Sequence, residues 1–403
     1  MADTILVVNA GSSSIKFSVY DVGAASADLA LSLKGQVSAI GTAPRLRAHD
    51  AGGRALVDQT FPVTEIPDVG VAMERVAAWL RERFAGVMPA AVGHRVAHGG
   101  TDYAAPAAVD DELLKGLERF VALAPLHQPH NLRPIRAIRQ RFPRTLQVAC
   151  FDTAFHRGHP DVADRFAIPE ALYREGVRRY GFHGLSCEYI ARALSRLAPQ
   201  IAQGAVVVAH LGSGASMCAI KGGRSVDSTM AFTALDGLPM GTRCGQIDPG
   251  VLLYLVSEKG YGAKELERLL YHEAGLRGLS GISNDVRDLL ASEDPRARLA
   301  LDYFVYRVAQ GLGALAAAME GVDAVVLTAG ISENSPEMRA RICARAAWLG
   351  LRLDEVANRA GGPRISTPDS RVSAWVIPTD EERMIAEHTL TVWREQPAVR
   401  RVA

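Results

Sequence analysis

The chain lacks most of what would assign it to a specialised class. Its 403 residues include only five cysteines (Cys150, Cys187, Cys218, Cys244, Cys343), an odd number with no C-x-x-C spacing. That argues against a disulfide framework or a zinc site and for a reducing cytoplasm. Neither sign of charge is in excess: 45 Lys and Arg against 44 Asp and Glu leave a formal +1, which implies no nucleic acid and no anionic membrane as partner. Arginine is plentiful but scattered among acids, as on a solvated face. Long apolar runs are also missing, and the best, Gly311–Met319, stops at Glu320 and Asp323. No basic segment opens the N-terminus, so no signal peptide is expected. A soluble protein follows from these absences. Hydrophobic content of 48% and charge of 22% are ordinary, and the length suggests two domains, although no low-complexity linker separates them.

What is present is concentrated first in Ile5–Asp21, I-L-V-V-N-A-G-S-S-S-I-K-F-S-V-Y-D. The apolar run Ile5–Val8 is cut by Asn9-Ala10-Gly11-Ser12-Ser13-Ser14. An alternating run follows, with Ile15, Phe17 and Val19 on one face and Lys16, Ser18 and Tyr20 on the other. Strand, tight turn, strand is the expected structure. Gly11 lets the backbone approach a ligand, successive N–H groups can form an anion nest, and the hydroxyls, Asn9 and Lys16 add donors. An amide oxygen can also reach hydrated Mg²⁺. A phosphate cradle and a Ser-rich hairpin tip both remain open on these residues alone.

The same grammar returns about 200 residues later, where strand Ala205–Leu211, turn Gly212-Ser213-Gly214-Ala215-Ser216 and strand Met217–Ile220 succeed one another. Helices are expected over Val71–Phe84, Asp110–Leu123, Asn131–Arg141 and Pro336–Leu349, and strands over Ala90–Val96, Leu146–Phe151 and Ala324–Leu327. Gly330–Asn334 reads as a loop. Alternating strands and helices imply an α/β protein, and two halves each with a Gly-rich hairpin suggest a nucleotide clamped between them.

The candidates for chemistry sit beside glycines. Arg95 (G-H-R-V-A-H-G-G) and Arg243 (G-T-R-C-G) suit bidentate binding of carboxylate or phosphate. One such arginine would be read as a surface salt bridge; two beside phosphate-type turns are not. Asp152, after an apolar strand, and Glu381, after V-I-P-T-D, are placed like Mg²⁺ ligands or like acidic helix caps, with Glu382 chemically equivalent. His183 lies between Gly181 and Gly184 and is a candidate for catalysis, whereas His127 reads as structural. His94, His98 and His210 are supporting donors or packing. Asp285-Val286-Arg287 and Gly330–Asn334 resemble nucleotide contacts only weakly.

Together these segments resemble the acetokinase family, in the superfamily of actin, sugar kinases and heat-shock ATPases. The resemblance rests on N-x-G-S-S-S-x-K (Asn9–Lys16), H-R-V-x-H-G-G, F-D-T-A-F-H, G-F-H-G-x-S, H-x-G-x-G-x-S (His210–Ser216), M-G-T-R-x-G-x-I-D-P and T-A-G-I-x-E-N, and runs from about residue 4 to 390. It implies two domains of duplicated actin-like (ribonuclease H-like) α/β fold, with mixed central sheets and an interdomain nucleotide cleft, over residues 1–152 with 383–403 and 153–382. It implies reversible in-line transfer of the ATP γ-phosphoryl to acetate, giving acetyl phosphate and ADP, with Mg²⁺ (Mn²⁺ in its place) and a homodimer. Mg²⁺ is placed by Asn9 and Glu381 with Asp152 beside it. ATP phosphates are placed on Ser12, Ser14, Lys16 and His210, Leu211, Gly212, Ser213, Gly214. Adenosine is placed on Asp285, Val286, Arg287 and Gly330, Ile331, Ser332, Glu333, Asn334. Arg95 would hold the acid, His127 would lie beside it, and His183 and Arg243 would stabilise the transferring phosphoryl. A chaperone-type ATPase of the superfamily would need a peptide-binding domain, for which the motifs leave no room.

Several positions depart from the family pattern. Ser213 stands where Asn is usual, Leu185 and Cys187 where Thr and His are usual, and Ser332 where Gly is usual. In the acyl pocket, Leu126 and Phe182 are kept, but Ala97 replaces a Val and Ala234 a Pro. The lost methyls open space, and an added substrate methylene buried there gains about 0.8 kcal/mol, so propionate is an expected alternative acid.

Overall fold

The computed structural model of the protein describes residues 3–11, 13–23, 29–125 and 127–396. The chain forms two compact units, one of Met1–Ala154 with Asp380–Ala403 and one of Phe155–Thr379. Unit 1 is built on β1 (Thr4–Ala10), β2 (Ile15–Val22), β3 (Leu29–Ser38), β4 (Arg45–Asp50), β5 (Ala55–Thr60), β6 (Ala91–Val96), β7 (Ala107–Ala108) and β8 (Leu146–Phe151), in the order β5-β4-β3-β2-β1-β6-β8-β7. β1 to β5 form an antiparallel meander, and β6 and β8 continue the sheet parallel to β1.

One face of that sheet carries α1 (Val69–Arg83) and α3 (Gln128–Arg141), which follows α2 (Asp111–Glu118). α1 starts where the Asp68 carboxylate accepts from Gly70 and Val71 N–H. Helix Glu381–Glu395 covers the other face so closely that a Cβ on Gly93 would meet Thr389 Oγ1 at 2.2 Å. This second cover corrects the reading of β2. Ser18 and Tyr20, expected on a polar face, are buried like Phe17. Burial, with Asp380 and Glu382 adding to it, raises the Tyr20 phenol above its ordinary pKa.

Unit 2 repeats the topology on β9 (Ala205–Leu211), β10 (Ala215–Lys221), β11 (Arg224–Ser228), β12 (Ala324–Thr328) and β13 (Ser373–Val376), ordered β11-β10-β9-β12-β13. β9 to β11 are antiparallel, and β12 and β13 run parallel to β9. An antiparallel hairpin whose first strand leads into parallel strands therefore occurs once per unit. Gly11 N–H closes the first hairpin on Ser14 O at 2.8 Å, and Gly212 N–H closes the second on Gly214 O at 2.9 Å. The run Gly311–Met319 lies largely within helix Pro295–Ala318, and among the described residues no helix is long and apolar enough to cross a membrane.

Four elements differ from expectation. α3 starts at Gln128 rather than Asn131, because Pro129 is well accommodated in a first turn. The expected helices from Asp110 and Pro336 tighten into 3₁₀ turns at Arg119 and Ala347. Ala329–Asn334 is a short helix, not a loop, because Glu333 Oε1 accepts from Ala329 N–H at 2.7 Å and closes the turn.

Candidate functional site

In unit 1 the parallel strands bring several candidates to one edge, the carboxyl ends where α/β sheets hold their ligands. Val96 pairs with Phe151, so Arg95 and Asp152 are neighbours, and Asp152 N–H donates to Val96 O at 3.0 Å. Arg95 Nη2 donates to Asp152 Oδ2 at 2.6 Å, and Nε lies 3.1–3.2 Å from both carboxylate oxygens. On the same guanidinium, Nη1 is 3.5 Å from Asn9 Oδ1, and Nε is 3.9 Å from Glu381 Oε2. Asp152 is 1% exposed, so its charge depends on such partners. Burial works against the Arg95 charge, but Asp152 and Glu381 outweigh it and raise the guanidinium above its ordinary value.

The loop after β6 is held from α3. Asn131 Oδ1 accepts from Ala97 N–H at 2.9 Å while its Nδ2 donates to Ala10 O at 2.7 Å. Gln128 exchanges two bonds with the His98 backbone, accepting at 3.1 Å and donating at 3.0 Å. Neither residue stands out in the sequence. The signal that was there is a pair of amides three apart on one helix, which buries both. Ala97 is buried, His127 holds the N-cap position of α3, Ser14 is half-buried and Lys16 exposed. Ser12 and Leu126 lie outside the described residues.

Asn9, Asp152 and Glu381 offer oxygen donors only, the set Mg²⁺ prefers. Mg²⁺ takes one or two carboxylates and keeps several waters, so it needs no all-protein cage. None is present among the described residues. Beside Glu381, Glu382 Oε1 is buried without a hydrogen-bond partner. Burial raises the Glu382 pKa, with Lys16 opposing and Glu381 adding to the rise. A nearby divalent cation would relieve that orphaned oxygen, and the residues fit the ion.

In unit 2 the hub is the turn Gly212–Gly214. His183 precedes helix Gly184–Leu197 in the left-handed region at φ +56°, uncommon for a residue with a Cβ. Its Nδ1 is 2.8 Å from Ser216 Oγ, on the strand after the turn. Its ring stacks on His210 at 4.2 Å between centroids. His210 Nδ1 is 2.8 Å from Ser186 Oγ, itself 2.8 Å from Thr379 Oγ1. A Cβ on Gly214 would lie 3.3 Å from His183 Nε2 and 3.9 Å from Arg243 Nη2. Both donors therefore flank a backbone kept bare by glycine. Arg243 Nη1 donates to Ala234 O at 2.9 Å. Gly241 N–H donates to Ser213 O at 3.3 Å and packs on Asn284, next to Asp285. Gly212 faces Ala329 and Gly330 N.

Other candidates in unit 2 take a different part. Leu211 and Val286 are buried, and Phe182 is buried with its carbonyl accepting from His156 Nε2 at 3.0 Å, in one assignment of that ring. Asp285 caps helix Val286–Ala291 and pairs with Arg287, whose side chain is 88% exposed. Ser332 is 1% exposed, and the Glu333 carboxylate accepts from Ala329 and Thr379 N–H. Asn334 Nδ2 donates to Gly330 O at 2.8 Å, and Ile331 belongs to the same short helix. Buried Arg339 locks that helix by donating to Ser332 O at 2.7 Å and Glu333 O at 3.1 Å. Lying outside every motif, it was not foreseen.

Residues 4–387 match the acetokinase family. The chain is 60% identical over 390 residues to an acetate kinase of Nitrobacter hamburgensis, covering 97% of this chain and 96% of that one. Among solved structures it is similar to acetate kinase of Porphyromonas gingivalis, with a TM-score of 0.84 and 35% identity over 97% of this chain and 100% of that one. It is equally similar to a propionate kinase of Francisella tularensis, with a TM-score of 0.88 and 33% identity over 96% and 99%.

Proposed function

The chain belongs to the acetokinase family, and we propose that it catalyses reversible in-line transfer of the ATP γ-phosphoryl to acetate, giving acetyl phosphate and ADP. The observation that carries this reading is the pair of donors, His183 Nε2 and Arg243, beside the bare Gly214 turn. Donors fixed in advance at such a turn suit the charge that spreads over a metaphosphate-like transition state. The His210–Gly214 backbone and Gly330 would receive the phosphates and the adenosine side, with Asp285–Arg287 beyond them and Ser12, Ser14 and Lys16 adding donors. Arg95 and the Ala97 loop would hold the acid, with His127 and Leu126 beside it and Phe182 and Ala234 as further walls. Acetate is ionised at neutral pH and needs no strong base, so Asp152 acts by fixing Arg95 and ordering water. Asn9 and Glu381 would hold Mg²⁺, or Mn²⁺ in its place, which when bound neutralises phosphate charge.

The test is hydroxamate trapping of acyl phosphate with ATP, Mg²⁺ and a series of acids. Acyl phosphate from acetate is expected. ATP hydrolysis without it, for any short carboxylate, would favour an ATPase of the superfamily instead. Because Ala97 is small, propionate is expected within about tenfold of acetate in kcat/KM, and a larger preference for acetate would exclude a widened pocket.

We also infer a homodimer. Helix Pro249–Ser257 buries none of its residues although Leu253 is 71% exposed and Val251, Tyr254 and Val256 are exposed beside it, an apolar surface that suits a second copy. Sedimentation at micromolar concentration checks it. We also infer a cytoplasmic setting, which five cysteines without C-x-x-C spacing suit.

A further inference from the structure

Unit 1 contains a groove that the proposed reaction does not use. Between α1, α3, residues 87–89 and the sheet lies a cavity of about 500 Å³. Its floor is apolar, with Leu6, Phe17 and Val92 from three neighbouring strands. Its mouth stays open to solvent where apolar groups line it, with Val87 38% and Met88 39% exposed. Three arginines, Arg81, Arg133 and Arg141, stand among the lining residues against one carboxylate, Glu74. Among the described residues none of the three makes an ion pair.

The groove is separate from the polar cluster. Side chains alternate along β6, so Val92 faces the groove while Gly93 and Arg95 face helix Glu381–Glu395. Along α3, Gln128 and Asn131 hold the loop after β6, whereas Arg141 lies ten residues beyond Asn131, about 15 Å along the helix axis.

An apolar trough with an unpaired cationic rim selects its occupant. A nucleotide would leave the hydrocarbon floor unused, and a short acid would leave most of the cavity empty. The chain's own C-terminal residues 397–403, PAVRRVA, carry Arg400 and Arg401 and would be repelled by the rim. We propose that this groove binds a fatty carboxylate of about eight to twelve carbons, with its chain along the sheet and its head group at the arginines.

Calorimetric titration of the full chain with octanoate, decanoate and 1-decanol below their micellar or solubility limits tests this. Each added methylene should tighten Kd about fourfold, so decanoate binds about fifteenfold more tightly than octanoate. Arg81→Glu with Arg141→Glu should weaken decanoate at least tenfold and leave decanol unchanged. Ala77→Phe should abolish binding while acyl phosphate formation persists. Ala137→Trp, on the opposite wall, repeats the test should that variant fail to fold. Saturating acetate and ATP should leave Kd unchanged. Affinity independent of chain length, decanol binding as tightly as decanoate, competition by acetate, or wild-type affinity in a folded filled-groove variant would each overturn the proposal.

Discussion

The two polar clusters hold their functional groups in opposite ways. In unit 1, charge is held by charge: Arg95 is forked onto a buried Asp152, with Glu381 close by. In unit 2, the aromatic donor is held by neutral groups, His183 by Ser216 and His210 by Ser186, while Arg243 donates to a carbonyl oxygen. A buried ion pair cannot lose one member without stranding the other, whereas a neutral hydrogen bond can be lost for about 1 kcal/mol. The clusters should therefore fail differently. Unit 1 should lose several kcal/mol of stability along with activity, and unit 2 should lose activity with only about 1 kcal/mol of stability.

Arg95→Ala is the largest break. It removes the cation against which Asp152 is buried and should cost about 3 kcal/mol of unfolding free energy as well as acid binding. Adding Asp152→Asn should restore over half of the stability and none of the activity. Urea denaturation of the single and double variants decides it, and equal stability for the two would refute the pairing argument. Arg243→Ala is the counterpart. It should reduce kcat by about 100-fold or more, about 3 kcal/mol, with a modest change in KM. A raised KM at normal kcat would mean that Arg243 only binds.

Acid should sharpen the contrast, because unit 1 also buries a histidine one residue from Arg95. Burial lowers the His94 pKa to about 4, although the Gln147 amide 2.9 Å from its Nε2 opposes the shift. The folded state thus holds His94 neutral while the unfolded chain protonates it near pH 6.5. This contribution is complete above pH 6.5 and is lost as pH falls toward 4, by up to roughly 3 kcal/mol. Against His94→Asn, wild type should lose about 1.4 kcal/mol per pH unit between pH 6 and 4.5. A constant gap between the two unfolding curves would show that His94 does not titrate in that window.

Much of the scaffold was legible because its signals are local. The strands at 146–151 and 205–211 are apolar runs interrupted only by Gln147 and His210, and both hairpins announce themselves by Gly and Ser between such runs. Arg95, Asp152, His183 and Arg243 stood out because each polar side chain sits at a strand end or between glycines. What stayed hidden depends on distant partners. Tyr20 looks solvent-facing until a helix from the far end of the chain covers it. Asn131 and Gln128 are ordinary helix amides until the fold places the 96–98 backbone against them. Gly330–Asn334 has loop composition, and its helical turn is closed by a glutamate that reading assigned to a ligand.

Ser216 offers the smallest and most selective test. Its hydroxyl lies 2.8 Å from His183 Nδ1 across 33 residues, because β10 pairs Ser216 with His210 and so sets it under the stacked rings. The hydroxyl fixes which face of the imidazole carries Nε2 toward Gly214, and by its direction it biases the tautomer. Ser216→Ala removes one neutral bond, so stability should fall by about 1 kcal/mol and kcat by about five- to tenfold, with the KM for ATP nearly unchanged. Ser216→Thr keeps the hydroxyl and should recover most of kcat if the added methyl is accepted in this buried strand. Because the Ser216 hydroxyl is neutral throughout, the loss should be similar from pH 6.5 to 8.5. A loss confined to one end of that range would make Ser216 a regulator of the His183 proton instead, and would bring unit 2 closer to the charge-held design of unit 1.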